Sequence, residues 1–112
     1  MITGAHVMIY SKDAEADRAF LRDVLGLKAI DSGGGWLIFA LPPAEMGVHP
    51  SESNDVHEVY LMTDDLDGAM ARLEAAGAAC EPASQQGWGR STRAPLPGGG
   101  RIGLYQPRHA RP

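Results

Sequence analysis

Cysteine is nearly missing from this chain: Cys80 is the single one in 112 residues. It cannot close an intrachain disulfide, so neither a crosslinked scaffold nor an oxidising compartment is implied. No histidine lies near it in sequence, and it reads as a small buried apolar residue rather than a nucleophile. Long apolar runs are missing as well. Nothing approaches the length that crosses a bilayer, and "MITGAHVMIYSKD" has neither the basic start nor the long apolar centre of a signal peptide. The expectation is a cytoplasmic protein with no membrane partner. Charge of one sign is scarce: the net value is −4, and the basic residues are scattered apart from a short "RHARP" tail, which gives no footprint for nucleic acid. A Ser-His-Asp set on a nucleophile elbow is absent, and so is a P-loop. The triplets Gly33 to Gly35 and Gly98 to Gly100 lead into strands, not helices, and therefore read as hairpin turns rather than phosphate loops. What remains, 44% hydrophobic and 21% charged, has the composition of one soluble globular domain spanning 1–112.

Within that domain the sequence says the same thing twice. "HVMIYSKDAEADRAFLRDVLGL" is a strand running into an amphipathic helix, with Asp13 as its N-cap and Gly26 as its stop. "EVYLMTDDLDGAMARLEAAGA" repeats the plan: Leu66, Ala69, Met70 and Leu73 recur at helical spacing, Asp64 or Asp65 caps, and Gly77 terminates. Each helix is followed by a short strand, then a glycine and a tryptophan ("GGGWLIFALPP", "GWGRSTRAPLP"), then a closing strand ("AEMGVHP", "GRIGLYQP"). The pattern is βαβββ twice, with module one at about 3–50 and module two at about 56–107. An α+β fold with a curled mixed sheet follows.

The register of the repeat decides which side chains share a face. An offset of 51 pairs His6 with His57, whereas 52 pairs Val7 and Ile9 with Val59 and Leu61, Asp13 with Asp65, and Trp36 with Trp88. Strand alternation selects 52. On that register His6, Met8 and Tyr10 share a face with Glu58, Tyr60 and Met62, while Val7, Ile9, Val59 and Leu61 turn to the helices. Gly47 and Gly103 fall at matching places in the two closing strands, with His49 and Tyr105 two residues beyond them. Trp36 opens a run apolar on both faces and reads as core. Trp88, between glycines and polar residues, reads as a flap beside a cleft.

A double βαβββ chain of this size resembles the vicinal oxygen chelate superfamily of glyoxalase I, bleomycin-resistance proteins, fosfomycin-resistance enzymes and extradiol dioxygenases. The resemblance rests on "HVMIYSKD" leading to "FLRDVLGL", on "DDLDGAMARLEAAGA" and on "PGGGRIGLYQP", and covers His6 to Pro107. It implies that two cup-shaped modules enclose one cleft for a small organic molecule, and that chains of this size form homodimers. It also implies metal ligands on the first and last strands of each module. His6 matches the first of these and Glu58 stands where the second module has its histidine; Gly47 and Gly103 stand where glutamates would be, so that Gly103 looks like a deleted ligand.

Two readings follow for the cleft. In one, His49 leans into the space beside Gly47, and His6, His49 and Glu58 hold a zinc, iron, manganese or nickel ion for lyase, isomerase or dioxygenase chemistry, with Glu58 or Tyr105 moving a proton. A two-residue displacement of a ligand is about 6.6 Å along a strand, so this reading requires an altered backbone path. In the other, the cleft is metal-free and sequesters a drug-like or aromatic compound, lined by Met8, Tyr10, Tyr60 and Trp88, with Arg90 and Arg93 placed for an anionic group.

Overall fold

The computed structural model describes Met1, Thr3 and residues 5–112. Two helices carry the repeat: α1 spans Ala14–Asp23 and α2 spans Leu66–Ala75, both starts and both ends separated by 52 positions. Their caps are chemically identical. The Asp13 carboxylate accepts from the Ala16 amide and that of Asp65 from the Gly68 amide, each satisfying an N–H that the first helical turn leaves unpaired. Asp65, not Asp64, is therefore the second cap. Gly26 and Gly77 follow the two helices at φ 71° and 88°, a left-handed conformation that costs glycine little and other residues more.

The strands form two sheets. In the first half a short hairpin joins β1 (Ala29–Asp31) to β2 (Leu37–Phe39) through Gly33, Gly34 and Gly35, all at positive φ, with the Asp31 carboxylate accepting from the amides of Gly33 and Gly35. In the second half, β3 (Tyr60–Met62), β4 (Ser84–Gln86), β5 (Gly89–Pro95) and β6 (Arg101–Pro107) make one sheet in the order β3-β6-β5-β4. Here β3 is parallel to β6, and the other neighbours are antiparallel. The turn between β5 and β6 uses Gly98 to Gly100, closed by the Leu96 amide on the Gly100 carbonyl. Both glycine triplets are thus turns.

Packing follows the alternation of this sheet. Leu61, Thr92, Ala94, Ile102 and Leu104 face α2, whose Leu66 and Leu73 are buried against them, with Ala78 and Leu96 completing the core. Phe20, Leu21, Val24 and Leu25 of α1 and its C-terminal turn pack on the same core, so both helices cover one face and leave the other open. A buried hydrogen bond also ties the halves: Asp17 of α1 accepts from the Gly98 amide at 2.6 Å. Gly98 has no room for a side chain, since a Cβ there would overlap Ser11 Oγ and press on the Asp17 carboxylate.

The first half departs from the expected plan. Residues 6–10 and 44–50 form no strand ladder and lie exposed, and the outer edge of β3 is unpaired among the described residues. A strand without a hydrogen-bonded neighbour has little stability of its own. Trp36, expected in the core, is half exposed on the β1–β2 hairpin, with the Arg18 guanidinium 4.7 Å above its ring. Cys80 is half-buried beside the core as expected, and burial, with Glu74 adding, pushes its thiol pKa up.

Candidate functional site

The open face of the second sheet is built from residues that pair across it. Tyr60, Gly103 and Arg93 form one row; Met62, Tyr105, Ser91 and Ser84 form the next; Pro107, Gly89 and Gln86 form the third. Paired residues share a face, so the register places a tyrosine in each of the first two rows. Trp88 sits at the tip of the β4–β5 hairpin at the edge of this face. Together Tyr60, Ser84, Gln86, Trp88, Ser91 and Arg93 line a groove of about 310 Å³, floored by Thr92 and walled by Glu81 and Pro82.

Glycine has a specific use here. The Tyr60 ring lies flat across Gly103, where any Cβ would overlap it, and Gly89 leaves room for the edge of the Tyr105 ring. An aromatic ring covering a cross-strand glycine restores the packing that glycine withholds. Gly103 is therefore the seat of a tyrosine, and a side chain at this position would collide with the Tyr60 ring. Gly47 has nothing near it and lies in the exposed segment.

The rings are held to one another. Tyr105 meets Tyr60 edge-on at 6.4 Å between centroids and Trp88 at 5.4 Å, and its hydroxyl donates to the Trp88 carbonyl at 3.0 Å. His109 lies against the other side of Tyr105 at 5.7 Å. Burial, with the Glu45 carboxylate adding, raises the Tyr105 phenol pKa. A phenol that is a committed donor with a raised pKa is a poor proton acceptor at neutral pH, which weakens its expected catalytic role.

Electrostatics centre on Arg93. Its Nη2 donates to Glu58 Oε2 at 2.6 Å and reaches the Tyr60 hydroxyl at 3.4 Å, while that hydroxyl also points at the same carboxylate oxygen. The Tyr60 hydroxyl and then Glu58 raise the guanidinium pKa, so the group is a permanent cation. Arg90, expected beside the cleft, lies on the opposite face, where it pairs with Asp67 at the start of α2 at 3.0 Å. Arg93 is the arginine of the groove.

The expected metal ligands do not converge. Glu58 is engaged by Arg93; His6 stands exposed on the unpaired segment; His49 is exposed, its Nδ1 directed to the Pro50 carbonyl at 2.7 Å. Among the described residues no three His, Cys, Asp or Glu side chains come together in a way that would hold an ion. The described residues thus do not fit a resident metal. Met8 and Tyr10 are exposed on the unpaired segment, apart from the groove lining. Sequence reasoning found Tyr60, Tyr105 and Trp88 and passed over Ser84, Gln86 and Ser91, which only the strand register brings to this face.

Two helices on one face of a mixed sheet, with an aromatic groove on the other, place the chain in the α+β class of paired βαβββ proteins. It belongs to the Glyoxalase/Bleomycin resistance protein/Dioxygenase superfamily, whose sequence pattern matches residues 4–99. Among solved structures it is similar to TnmS3, an antibiotic binding protein from a Streptomyces strain, with 27% identity, a TM-score of 0.68, and 96% of this chain and 99% of that one covered. It shares the fold of a lactoylglutathione lyase from Agrobacterium tumefaciens, with 20% identity, a TM-score of 0.64, and 92% and 94% of the two chains covered. The fold is also that of the fosfomycin resistance protein FosX from Listeria monocytogenes, with 21% identity, a TM-score of 0.63, and 95% and 94% covered. No curated protein matches the chain. No helix is long and apolar enough to cross a membrane among the described residues.

Proposed function

We propose that this protein binds and sequesters a planar aromatic small molecule, without a metal and without chemistry, in the groove between Trp88 and Arg93. The observation that carries the reading is the aromatic cluster itself: Tyr60 seated over Gly103, Tyr105 edge-on to both Tyr60 and Trp88, and half-exposed Trp88 at the groove's end. Ring faces held in place this way offer large contact area at low entropic cost. The antibiotic-binding neighbour supports the same reading. The rival, a metal-dependent lyase, isomerase or dioxygenase using His6, His49 and Glu58, requires three side chains to leave the positions described above.

The functional unit is a homodimer. The open edge of β3 and the exposed apolar side chains of Val7, Met8 and Ile9 support it, because an unpaired edge beside apolar residues is the usual template for pairing with another chain. Such pairing would complete the first half of the fold and bring Met8 and Tyr10 toward a groove. A single half-buried thiol with no disulfide partner in the chain is compatible with the reducing cytoplasm, where the protein would act.

The test is tryptophan fluorescence titration with a panel of planar aromatic antibiotics and dyes, with and without a chelator. Saturable quenching that Trp88→Leu removes and the chelator leaves unchanged is the expected result. Quenching that depends on added divalent metal would return the reading to the enzyme class.

A further inference from the structure

The groove has two unlike ends. Trp88 stands beside Gly89 at one, and Arg93 is four residues along β5 at the other, a distance of about 13 Å in an extended strand. Between them the lining is Ser84, Gln86 and Ser91, neutral groups that donate and accept. An occupant is therefore elongated, aromatic at one end, and met by a guanidinium at the other.

The state of that guanidinium is informative. Of its five N–H donors, only those of Nη2 engage described protein atoms, and they do so with Glu58 and Tyr60. Glu58 is not part of the groove lining; its side chain is half exposed, and that of Arg93 is 36% exposed. Exposed ion pairs contribute little to stability, so Glu58 can leave Arg93 at low cost. Tyr60, fixed over Gly103, keeps its hydroxyl beside the guanidinium whichever carboxylate is there.

We propose that the ligand of this groove is an aromatic acid, and that Glu58 is a resident stand-in for its carboxylate, holding the Arg93 guanidinium oriented until the ligand's acidic group takes it over. This rests on the groove being the ligand site. It adds that the site selects by charge: an acid entering the Arg93 end displaces a like charge and gains a charge-assisted hydrogen bond, whereas a neutral analogue leaves the Glu58–Arg93 pair intact.

Biphenyl-4-carboxylate and biphenyl-4-carboxamide separate the possibilities, titrated against full-length protein in a Trp36→Phe background so that emission reports Trp88 alone. The acid is expected to bind about tenfold more tightly than the amide. Arg93→Gln should abolish that preference, and Arg93→Lys should keep part of it. Glu58→Gln should strengthen acid binding about three- to tenfold and leave the amide unchanged, a gain that misfolding cannot mimic. Equal binding of acid and amide, or weaker acid binding in Glu58→Gln, overturns the inference while the aromatic groove stands. If neither compound quenches Trp88, the groove reading falls and the inference with it.

Discussion

The two halves of this chain share a plan and differ in outcome. Their helices start, cap and end at an offset of 52, and a left-handed glycine follows each, at an offset of 51. Their sheets do not: the second half forms four strands, the first only a three-residue hairpin pair. Helix boundaries are set within a few residues by local hydrogen bonds, so each copy of the motif marks the same start and stop, and packing on the shared core stabilises both helices. A strand is set by its neighbour, and the segments around Met8 and Gly47 have none. The repeat thus yields two matching helices, while among the described residues only the second copy builds a four-stranded sheet.

Several experiments would break or sharpen that contrast. The largest effect belongs to the core: Leu73→Ala should destabilise by about 2–5 kcal/mol in urea unfolding, since the side chain is fully buried. Ile38→Ala, on the half-buried strand of the first hairpin, should cost clearly less; equal losses would show that the first half is packed as tightly as the second. If the first half is completed by a second copy, Ile9→Asp should convert a dimer into a monomer in sedimentation velocity. A protein that is monomeric before the substitution would instead leave the unpaired segments as its true form.

Next in size, Gly103→Ala should cost about 1–3 kcal/mol by overpacking against Tyr60, and pairing it with Tyr60→Leu should recover part of the loss. Additive losses would mean the ring is not seated on this glycine. Asp13→Ala and Asp65→Ala should each cost about 1 kcal/mol, and to a similar extent, because the two caps are alike. A large inequality would undo the claim that the helices are equivalent.

The smallest effect is alkaline. Tyr105 has a raised phenol pKa in the folded protein, so its contribution is fully present below the ordinary tyrosine value and fades as pH climbs through the raised one. Phenolate absorbance should show one tyrosine titrating late. Tyr105→Phe should remove that component and flatten the loss of stability at high pH.

Much of this could be read from the chain. Caps, stops and glycine turns were legible because each is a local event, and the face shared by Glu58, Tyr60 and Met62 followed from alternation once the offset was chosen. The site was legible in its aromatic residues and illegible in its connections. That Gly103 receives Tyr60 depends on which residue of β3 stands opposite it, a pairing 43 positions apart that no periodicity reports. A glycine in a closing strand with a tyrosine on the first strand of the same module was the available sign. Arg90 and Arg93, both expected beside the cleft, are three residues apart on β5 and so turn to opposite faces; the register shows that Arg93 is on the face of the groove. Trp36 misled because an apolar run resembles a central strand even when its sheet has only two members.

A chain made by doubling a module invites the thought that it could be cut at the seam near Asp55 and its halves studied apart. The contact between Asp17 and Gly98 argues otherwise. A carboxylate from the first copy is buried against the turn of the second: its Oδ1 accepts from the Gly98 amide, and its Oδ2 has no hydrogen-bond partner among the described residues. Separated, the second copy would lose the acceptor that its turn was shaped around, and both copies would lose the core that α1 and the second sheet share. Duplication wrote two sentences, but that carboxylate joins them into one clause, and unfolding should be felt as a single cooperative event.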